Sequence, residues 1–326
     1  MTRVHVVGAS GYAASEFIRL ARLHPDLELG ALESASHAGQ PLGSQIPALR
    51  RFERRFDPPG TLESILAPGD AVVFAGGAEL ARAQAPGLAN RGARVIDLSD
   101  AFRLHAHSGG AVYGLAERYR DALRNATLVA NPGCYPTATL LALLPLAPFA
   151  ADITQFVVDA KSGVTGAGRT PATANLYAEV DGDVRAYGLA GHRHEAEIVQ
   201  ELAAVGLGAP LVFTPHVVPL RRGMLADCYV IFNRDPKPDE IHAAYLRAYG
   251  GSPFVHVLPP DRAPSLPGVT GTNDAEIHVS ILGRVVRVIS AIDNLGKGAA
   301  GNAMQNLNLI LGLPEECALD DRAVGV

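Results

Sequence analysis

Between Val129 and Pro145 the chain reads VANPGCYPTATLLALLP, which sets a cysteine, Cys134, at a change of local structure. The β-rich run Thr127 to Ala130 meets an Asn131-Pro132-Gly133 turn, after which Thr137, Ala138, Leu140, Leu141 and Leu144 recur at helical spacing. A helix is expected from Tyr135 or Pro136 to Leu144, because proline is tolerated in a first turn whose amides have no partner. Those amides and the positive end of the helix dipole favour the thiolate, which is the nucleophilic form. Downstream, Gly191-His192-Arg193-His194-Glu195-Ala196-Glu197 gathers two imidazoles and carboxylates. A histidine beside a cysteine can take its proton and return one to a leaving group or oxyanion, so His192 or His194 is the candidate acid/base. The two histidines lack the nearby Cys or Glu-x-x-His spacing of a metal site, and no metal is expected. Lys161-Ser-Gly-Val-Thr-Gly-Ala-Gly-Arg169 follows a strand, and its glycines and two cations suit an anion.

The elements that must position these groups begin with a β-branched strand, Arg3 to Val7. The turn Gly8-Ala9-Ser10-Gly11-Tyr12-Ala13-Ala14 follows, then a helix over Ser15 to Leu23. Gly8 permits the tight turn, Gly11 lets a pyrophosphate approach backbone amides, and Ala14 lets the helix pack on its strand. A glycine turn between a first strand and a first helix is the context a dinucleotide fingerprint requires. The second strand, Leu27 to Leu32, is followed by Glu33-Ser34-Ala35-Ser36, where a Rossmann site holds the adenosine ribose. The serines could hydrogen-bond a 2′-phosphate, whereas Glu33 prefers a free 2′-hydroxyl, so these residues alone leave NADP versus NAD open. Ser36 to Pro59 reads as an irregular insertion. Within it, Arg50, Arg51, Arg54 and Arg55, flanked by Glu53 and Asp57, read as a solvated face. The strands Ala71 to Phe74, Arg94 to Asp97 and Thr127 to Ala130, with a helix over Glu79 to Asn90, then complete a doubly wound parallel sheet. Arg103, in the loop after Asp97, is placed to clamp a carboxylate or phosphate.

After the cysteine helix the pattern changes to strands: Ile153 to Ala160, Leu211 to Phe213, Leu225 to Phe232, Glu276 to Leu282 and Val285 to Ile292, the last two joined by a Gly283-Arg284 hairpin. This predicts a second, α+β unit with a mixed or antiparallel sheet. It also carries a helix over Pro238 to Tyr249. A last helix, Ala299 to Leu311, is rich in small residues. The expected division is a dinucleotide-binding domain, 1–133, completed by the C-terminal segment 298–326, and a catalytic and oligomerisation domain, 134–297. The 326 residues suit two cores, and 48% hydrophobic with 19% charged residues describe an ordinary globular chain. A net charge of −5 argues against a nucleic-acid surface. The unpaired set Cys134, Cys228 and Cys317 fits a reducing cytoplasm rather than a disulfide framework. No basic-then-apolar leader opens the chain, and prolines 145 and 148 break the longest apolar stretch, so neither secretion nor membrane insertion is expected.

These motifs together resemble the N-acetyl-γ-glutamyl-phosphate reductases, of the aspartate-semialdehyde-dehydrogenase type. The resemblance runs through Gly8-Ala-Ser-Gly-Tyr12, Asp97-Leu-Ser99 with Arg103, Asn131-Pro-Gly-Cys-Tyr-Pro-Thr137, Asp159-Ala-Lys-Ser-Gly163 with Gly166 to Arg169, Gly191 to His194 with Glu197, and Asp293-Asn-Leu295 with Lys297 to Gly301. It implies attack of Cys134 on an acyl phosphate, reduction of the thioester with NADP(H), and release of the semialdehyde, as a step of arginine biosynthesis. It implies His192 or His194 as proton carriers, with Glu197 orienting one of them. Gly8, Ser10, Gly11, Tyr12, Ser34, Ser36, Ser162, Gly163 and Asn294 would contact the cofactor, and Arg103, Lys161, Arg169 and Lys297 the substrate's carboxylate and phosphate. A homotetramer is the family expectation. Where relatives carry Ser-Arg-Ser after the second strand this chain has Ser34-Ala35-Ser36, which weakens the case for strict NADP preference. Alternatives are a carrier-protein-linked aminoadipyl- or glutamyl-phosphate reductase, an aspartate-semialdehyde dehydrogenase, and, outside enzymes, a dinucleotide-sensing interaction protein.

Overall fold

The computed structural model describes residues 1–319, and the rest of the segment 298–326 lies outside the described residues. The described residues form two compact units: Met1–Pro132 together with 299–319, and Gly133–Gly298.

The first unit is built on β1 (Thr2–Val7), β2 (Leu27–Glu33), β3 (Ala71–Phe74), β4 (Arg94–Asp97), β5 (Val112–Tyr113) and β6 (Leu128–Ala130), in the order β2-β1-β3-β4-β6-β5. Every neighbouring pair is parallel. Val4, Val6, Val72 and Val73 are fully buried, as expected where helices cover both faces of a parallel sheet. The order reverses between β1 and β3, so the turns after these strands lie at the topological switch point. The first helix starts at Tyr12, earlier than its apolar spacing indicates, because Gly11 takes the extended N-cap conformation. The insertion is less irregular than expected. It contains short helices at Leu42–Gln45 and Pro47–Leu49, and isolated bridges Glu33↔Asp57 and Pro41↔Arg55 tie it down. The last helix, Gly301–Leu311, follows a π-helical segment, Gly296–Ala300. It packs on the Tyr12–Ala21 and Ala116–Leu123 helices and carries buried Asn302 and Asn306, whose Nδ2 groups both donate to Gly114 O and Asn131 Oδ1.

The second unit holds β7 (Ile153–Gly163), β8 (Arg185–Ala186), β9 (Leu211–Val218), β10 (Met224–Phe232), β11 (Val255–Val257), β12 (Ala275–Leu282) and β13 (Val285–Ile292), in the order β11-β12-β13-β10-β7-β9-β8. The β11/β12 and β7/β9 pairs are parallel and the others antiparallel, with the β12/β13 hairpin turning at Gly283, φ +58°. The cysteine helix, Cys134–Leu143, lies on β10 and β13 and against the Arg193–Ala203 helix. Tyr135 to Leu143 are all buried, so this helix sits inside its unit rather than covering it with one apolar stripe. It runs on as a 3₁₀ helix, Leu144–Asp152, through Pro145 and Pro148. Together Cys134–Asp152 is the one helical stretch among the described residues long and apolar enough to cross a membrane, with a mean hydropathy of 1.4, and 61% of that window is buried inside the protein. It is a core helix.

The carboxyl end of the cysteine helix is held from outside its own ladder. In the Pro238–Tyr249 helix, Tyr245 Oη donates to Ala142 O at 2.6 Å and Tyr249 Oη to Leu141 O at 2.5 Å. Both phenols are buried, so removing either leaves a buried carbonyl short of a donor. Tyr245→Phe and Tyr249→Phe should each cost about 1–3 kcal/mol, seen as a lower urea midpoint at unchanged slope.

Candidate active site

Cys134 opens its helix behind Gly133, an N-cap in extended conformation that has no side chain. Thr137 closes the first turn, its amide and its hydroxyl both donating to Gly133 O at 2.9 Å. From the neighbouring helix the buried Glu197 accepts the Gly133 N–H at Oε1, 2.9 Å away. The carboxylate that sequence suggests would orient an imidazole braces the residue before the nucleophile. Gly298 comes so close that a Cβ there would stand 2.8 Å from the Cys134 Cβ. Of the other thiols, Cys228 is fully buried, and burial followed by the nearby Asp227 pushes its pKa far up, so it is inert.

Cys134 borders a cavity of about 490 Å³ whose walls include Ser162, Tyr187, His192, Arg193 and His194. Tyr135 is the pillar of this wall. Its hydroxyl donates to His216 O at 2.9 Å and accepts from Tyr187 Oη at 3.2 Å, and its ring meets those of His192, His194 and Phe213 edge-on at 5.6–5.9 Å. Burial pushes the pKa of both tyrosines up, so both hydroxyls stay protonated donors.

The two histidines differ. His192 is the N-cap of the Arg193–Ala203 helix, and its Nδ1 accepts the His194 N–H at 3.1 Å. An Nδ1 that accepts leaves the neutral ring's proton on Nε2. Burial, with Arg193 beside it, lowers the His192 pKa, so the ring is neutral at pH 7. His192 is thus built to donate from Nε2–H rather than to accept the thiol proton. His194 is buried, 4.8 Å from His192 between ring centroids.

Several expected substrate cations lie off the cavity wall. Lys161 alternates with Ser162 along β7, so when Ser162 is buried on the cavity face Lys161 is carried to the other face. There it pairs with Asp227 at 2.7 Å and Asp159 at 3.0 Å; these carboxylates outweigh the burial that opposes the charge, and its pKa rises. Lys297 is fully buried, with Nζ 5.6 Å from the Phe254 ring centre, and Arg169 is partly exposed beyond the lining residues. Arg103, in the first unit, spends Nε on Asn131 O and Nη2 on Leu98 O. Arg185 lines the cavity but is tied to Ala174 O, Glu179 O and Asp183. Arg193, whose only sequence signal is its place between two histidines, is the lining cation next to His192. Asn294 is buried, accepting the Gly223 N–H and donating to Thr165 Oγ1, and so fixes the turn after β7 that carries Gly166 of the wall.

In the first unit the glycine turn takes the form a dinucleotide needs. Gly8 has φ +82°, and a Cβ there would meet Gly76 N at 2.7 Å, so the turns after β1 and β3 touch through backbone. Gly11 caps the Tyr12–Ala21 helix with no side chain over the first amides. Ser34 Oγ donates to Ser10 Oγ at 3.0 Å, and Ser36 is exposed in the loop beyond. Glu33 is buried, its Oε1 taking the Leu62 N–H at 2.6 Å rather than facing a ribose. The only three-residue metal-ligating cluster among the described residues is His24, Asp26 and Cys317. Its histidine already accepts the Asp26 N–H at Nδ1 and bonds Asn308 Oδ1 through Nε2.

Comparison with known proteins agrees with this geometry. Family models described as "Semialdehyde dehydrogenase, NAD binding domain" and "Semialdehyde dehydrogenase, dimerisation domain" match residues 3–126 and 134–294. N-acetyl-γ-glutamyl-phosphate reductases of Moorella thermoacetica and Halorhodospira halophila are 38% and 43% identical, over 98% and 99% of both chains respectively. The chain belongs to the N-acetyl-γ-glutamyl-phosphate reductase family. Its fold is shared with aspartate semialdehyde dehydrogenases. The Vibrio cholerae enzyme II complexed with ASA has a TM-score of 0.72 at 19% identity, over 96% of this chain and 98% of that one. The Candida albicans enzyme with NADP has a TM-score of 0.71 at 17% identity, over 96% and 98%.

The tautomer assigned to this family member's His192 can be read directly. In a ¹⁵N-resolved histidine titration His192 should show the Nε2–H neutral form and a midpoint below the ordinary value of about 6.5. An Nδ1–H form, or a midpoint above 6.5, would remove it as a neutral donor.

Proposed function

We propose that the chain reduces N-acetyl-γ-glutamyl phosphate to N-acetylglutamate semialdehyde and phosphate, as an NADPH-dependent step of arginine biosynthesis. The observation that carries this reading is Cys134 at a helix N-terminus, braced by Glu197 through Gly133 and bordering a cavity that two imidazoles also line. In this proposal the unit from Met1 binds the dinucleotide at Gly8, Ser10, Gly11, Tyr12, Ser34 and Ser36, and the unit from Gly133 carries the chemistry.

The Cys134 thiolate attacks the acyl-phosphate carbonyl; a C–S bond forms, the C–O bond to phosphate breaks, and phosphate leaves with the electron pair. The first-turn amides and His192 Nε2–H donate to the carbonyl oxygen as charge gathers on it. His192 stays neutral for this, because burial, with Arg193 beside it, lowers its pKa and keeps the ring from charging. His194 is the remaining imidazole to take and return the thiol proton. When bound, the dinucleotide supplies the hydride that brings the thioester to the aldehyde level. Collapse of the thiohemiacetal returns the electron pair to sulfur. Arg193 is proposed to hold the substrate's anionic end, in place of the cations expected from sequence. Self-association is proposed for the unit from Gly133. Support comes from its match to a semialdehyde dehydrogenase dimerisation domain and from a sheet face on which Val212 and Tyr229 remain exposed.

The test is oxidation of N-acetylglutamate semialdehyde with phosphate, run separately with NADP and NAD. Wild type should turn over only with phosphate, and Cys134→Ser should lose at least 10³-fold in kcat. Arg193→Ala should raise KM for the acyl substrate about tenfold or more with a smaller change in kcat, the mark of lost binding rather than lost chemistry. Turnover of aspartate semialdehyde instead would overturn the substrate, and silence on all aldehydes would favour a sensor.

A further inference from the structure

The arginine cluster at 50–55 reads from sequence as one solvated face, but in the structure its four members differ in what they contact. Arg54 reaches Leu29 O and Gly30 O, carbonyls on the open edge of β2, and so covers a sheet edge. Arg50 bonds Pro47 O within its own turn, and Arg51 is exposed with no side-chain partner among the described residues. Arg55 donates from Nη1 to Gly39 O at 2.7 Å. That bond uses one of its five donors.

Gly39 ends the loop that follows β2. The loop is an arch closed by two neighbouring carbonyls, Ser34 N–H donating to Asp57 O at 3.0 Å and Gly39 N–H to Phe56 O at 2.8 Å. His37 within it bonds Gln40 through Nδ1 and stands over the Phe56 ring, and Ser34 ties the arch to Ser10 of the glycine turn. Arg55 is the next residue along the segment that closes this arch. The carboxylates nearby are engaged elsewhere: Glu33 on Leu62 N–H and Asp57 Oδ2 on Leu32 N–H, while Glu53 is exposed. The end of β2 is where a doubly wound fold places the adenosine ribose, and an arginine there is what accommodates a 2′-phosphate. Between Ser34 and Ser36 the loop has only Ala35.

We propose that Arg55, supplied by the insertion rather than by the β2 loop, recognises the 2′-phosphate of the adenosine ribose, with the Ser34 and Ser36 hydroxyls as neutral partners. This rests on the dinucleotide reading above and assigns its phosphate selectivity to one side chain. The guanidinium keeps its charge at all working pH and presents paired donors to phosphate oxygens, which a hydroxyl pair alone cannot match.

The experiment is equilibrium binding of adenosine 2′,5′-bisphosphate and of 5′-AMP, which differ only in the 2′-phosphate, to wild type, Arg55→Ala and Arg51→Ala. Wild type and Arg51→Ala should bind the bisphosphate at least tenfold more tightly than 5′-AMP, more so at low salt. Arg55→Ala should lose that preference while its 5′-AMP affinity stays within twofold, which also certifies its fold. A preference retained in Arg55→Ala overturns the assignment and leaves NADP use standing. Equal loss for both nucleotides overturns it in favour of a purely structural arch contact. A wild type with no preference overturns the NADP reading itself.

Discussion

The catalytic unit depends on how one buried helix is terminated. Cys134–Leu143 is apolar on every side, so its position is fixed by packing, but both of its ends carry backbone groups that burial would leave unpaired. The carboxyl end is supplied by Tyr245 and Tyr249. At the amino end the Glu197 carboxylate takes the Gly133 amide. A carboxylate there lowers the cost of burying the turn and is itself stabilised by the positive end of the helix. It does so one residue before the thiol, so the turn is held while the Cys134 side chain faces the cavity. Gly298 completes the constraint, since any side chain in its place would displace the cysteine.

The same economy governs the cations. Lysines and arginines that sequence motifs put forward for anion binding are spent on the protein's own oxygens. Arg103 holds Leu98 and Asn131 carbonyls, and Lys161 neutralises two aspartates. A motif arginine with several backbone acceptors organises a loop. A recognition arginine keeps donors for a ligand. Arg193 lines the cavity and Lys161 does not, although neither residue type nor spacing distinguishes them in that way.

Much of the architecture was legible because periodicity encodes it. The strands Ala71–Phe74, Arg94–Asp97 and Val285–Ile292 and the helix Pro238–Tyr249 have the bounds their patterns indicate. The short strands Val112–Tyr113, Arg185–Ala186 and Val255–Val257 were not, since two or three residues carry no period and exist only through their partners. Cys134, His192 and His194 could be seen as a constellation, and they do meet at one cavity. The side of a strand on which Lys161 emerges could not be seen. It follows from which face of β7 is covered, and a one-residue alternation reverses it.

The histidine pair shows how a backbone contact settles what residue type leaves open. Both imidazoles have the same intrinsic chemistry and are two residues apart. Only His192 stands at the N-cap, where an amide two residues ahead needs an acceptor and its Nδ1 provides one. Capping therefore fixes the tautomer, the tautomer turns Nε2 into a donor, and burial keeps that donor neutral. A ring so placed can stabilise a developing oxyanion without first being charged. The division of labour between two equivalent histidines thus follows from where the helix begins.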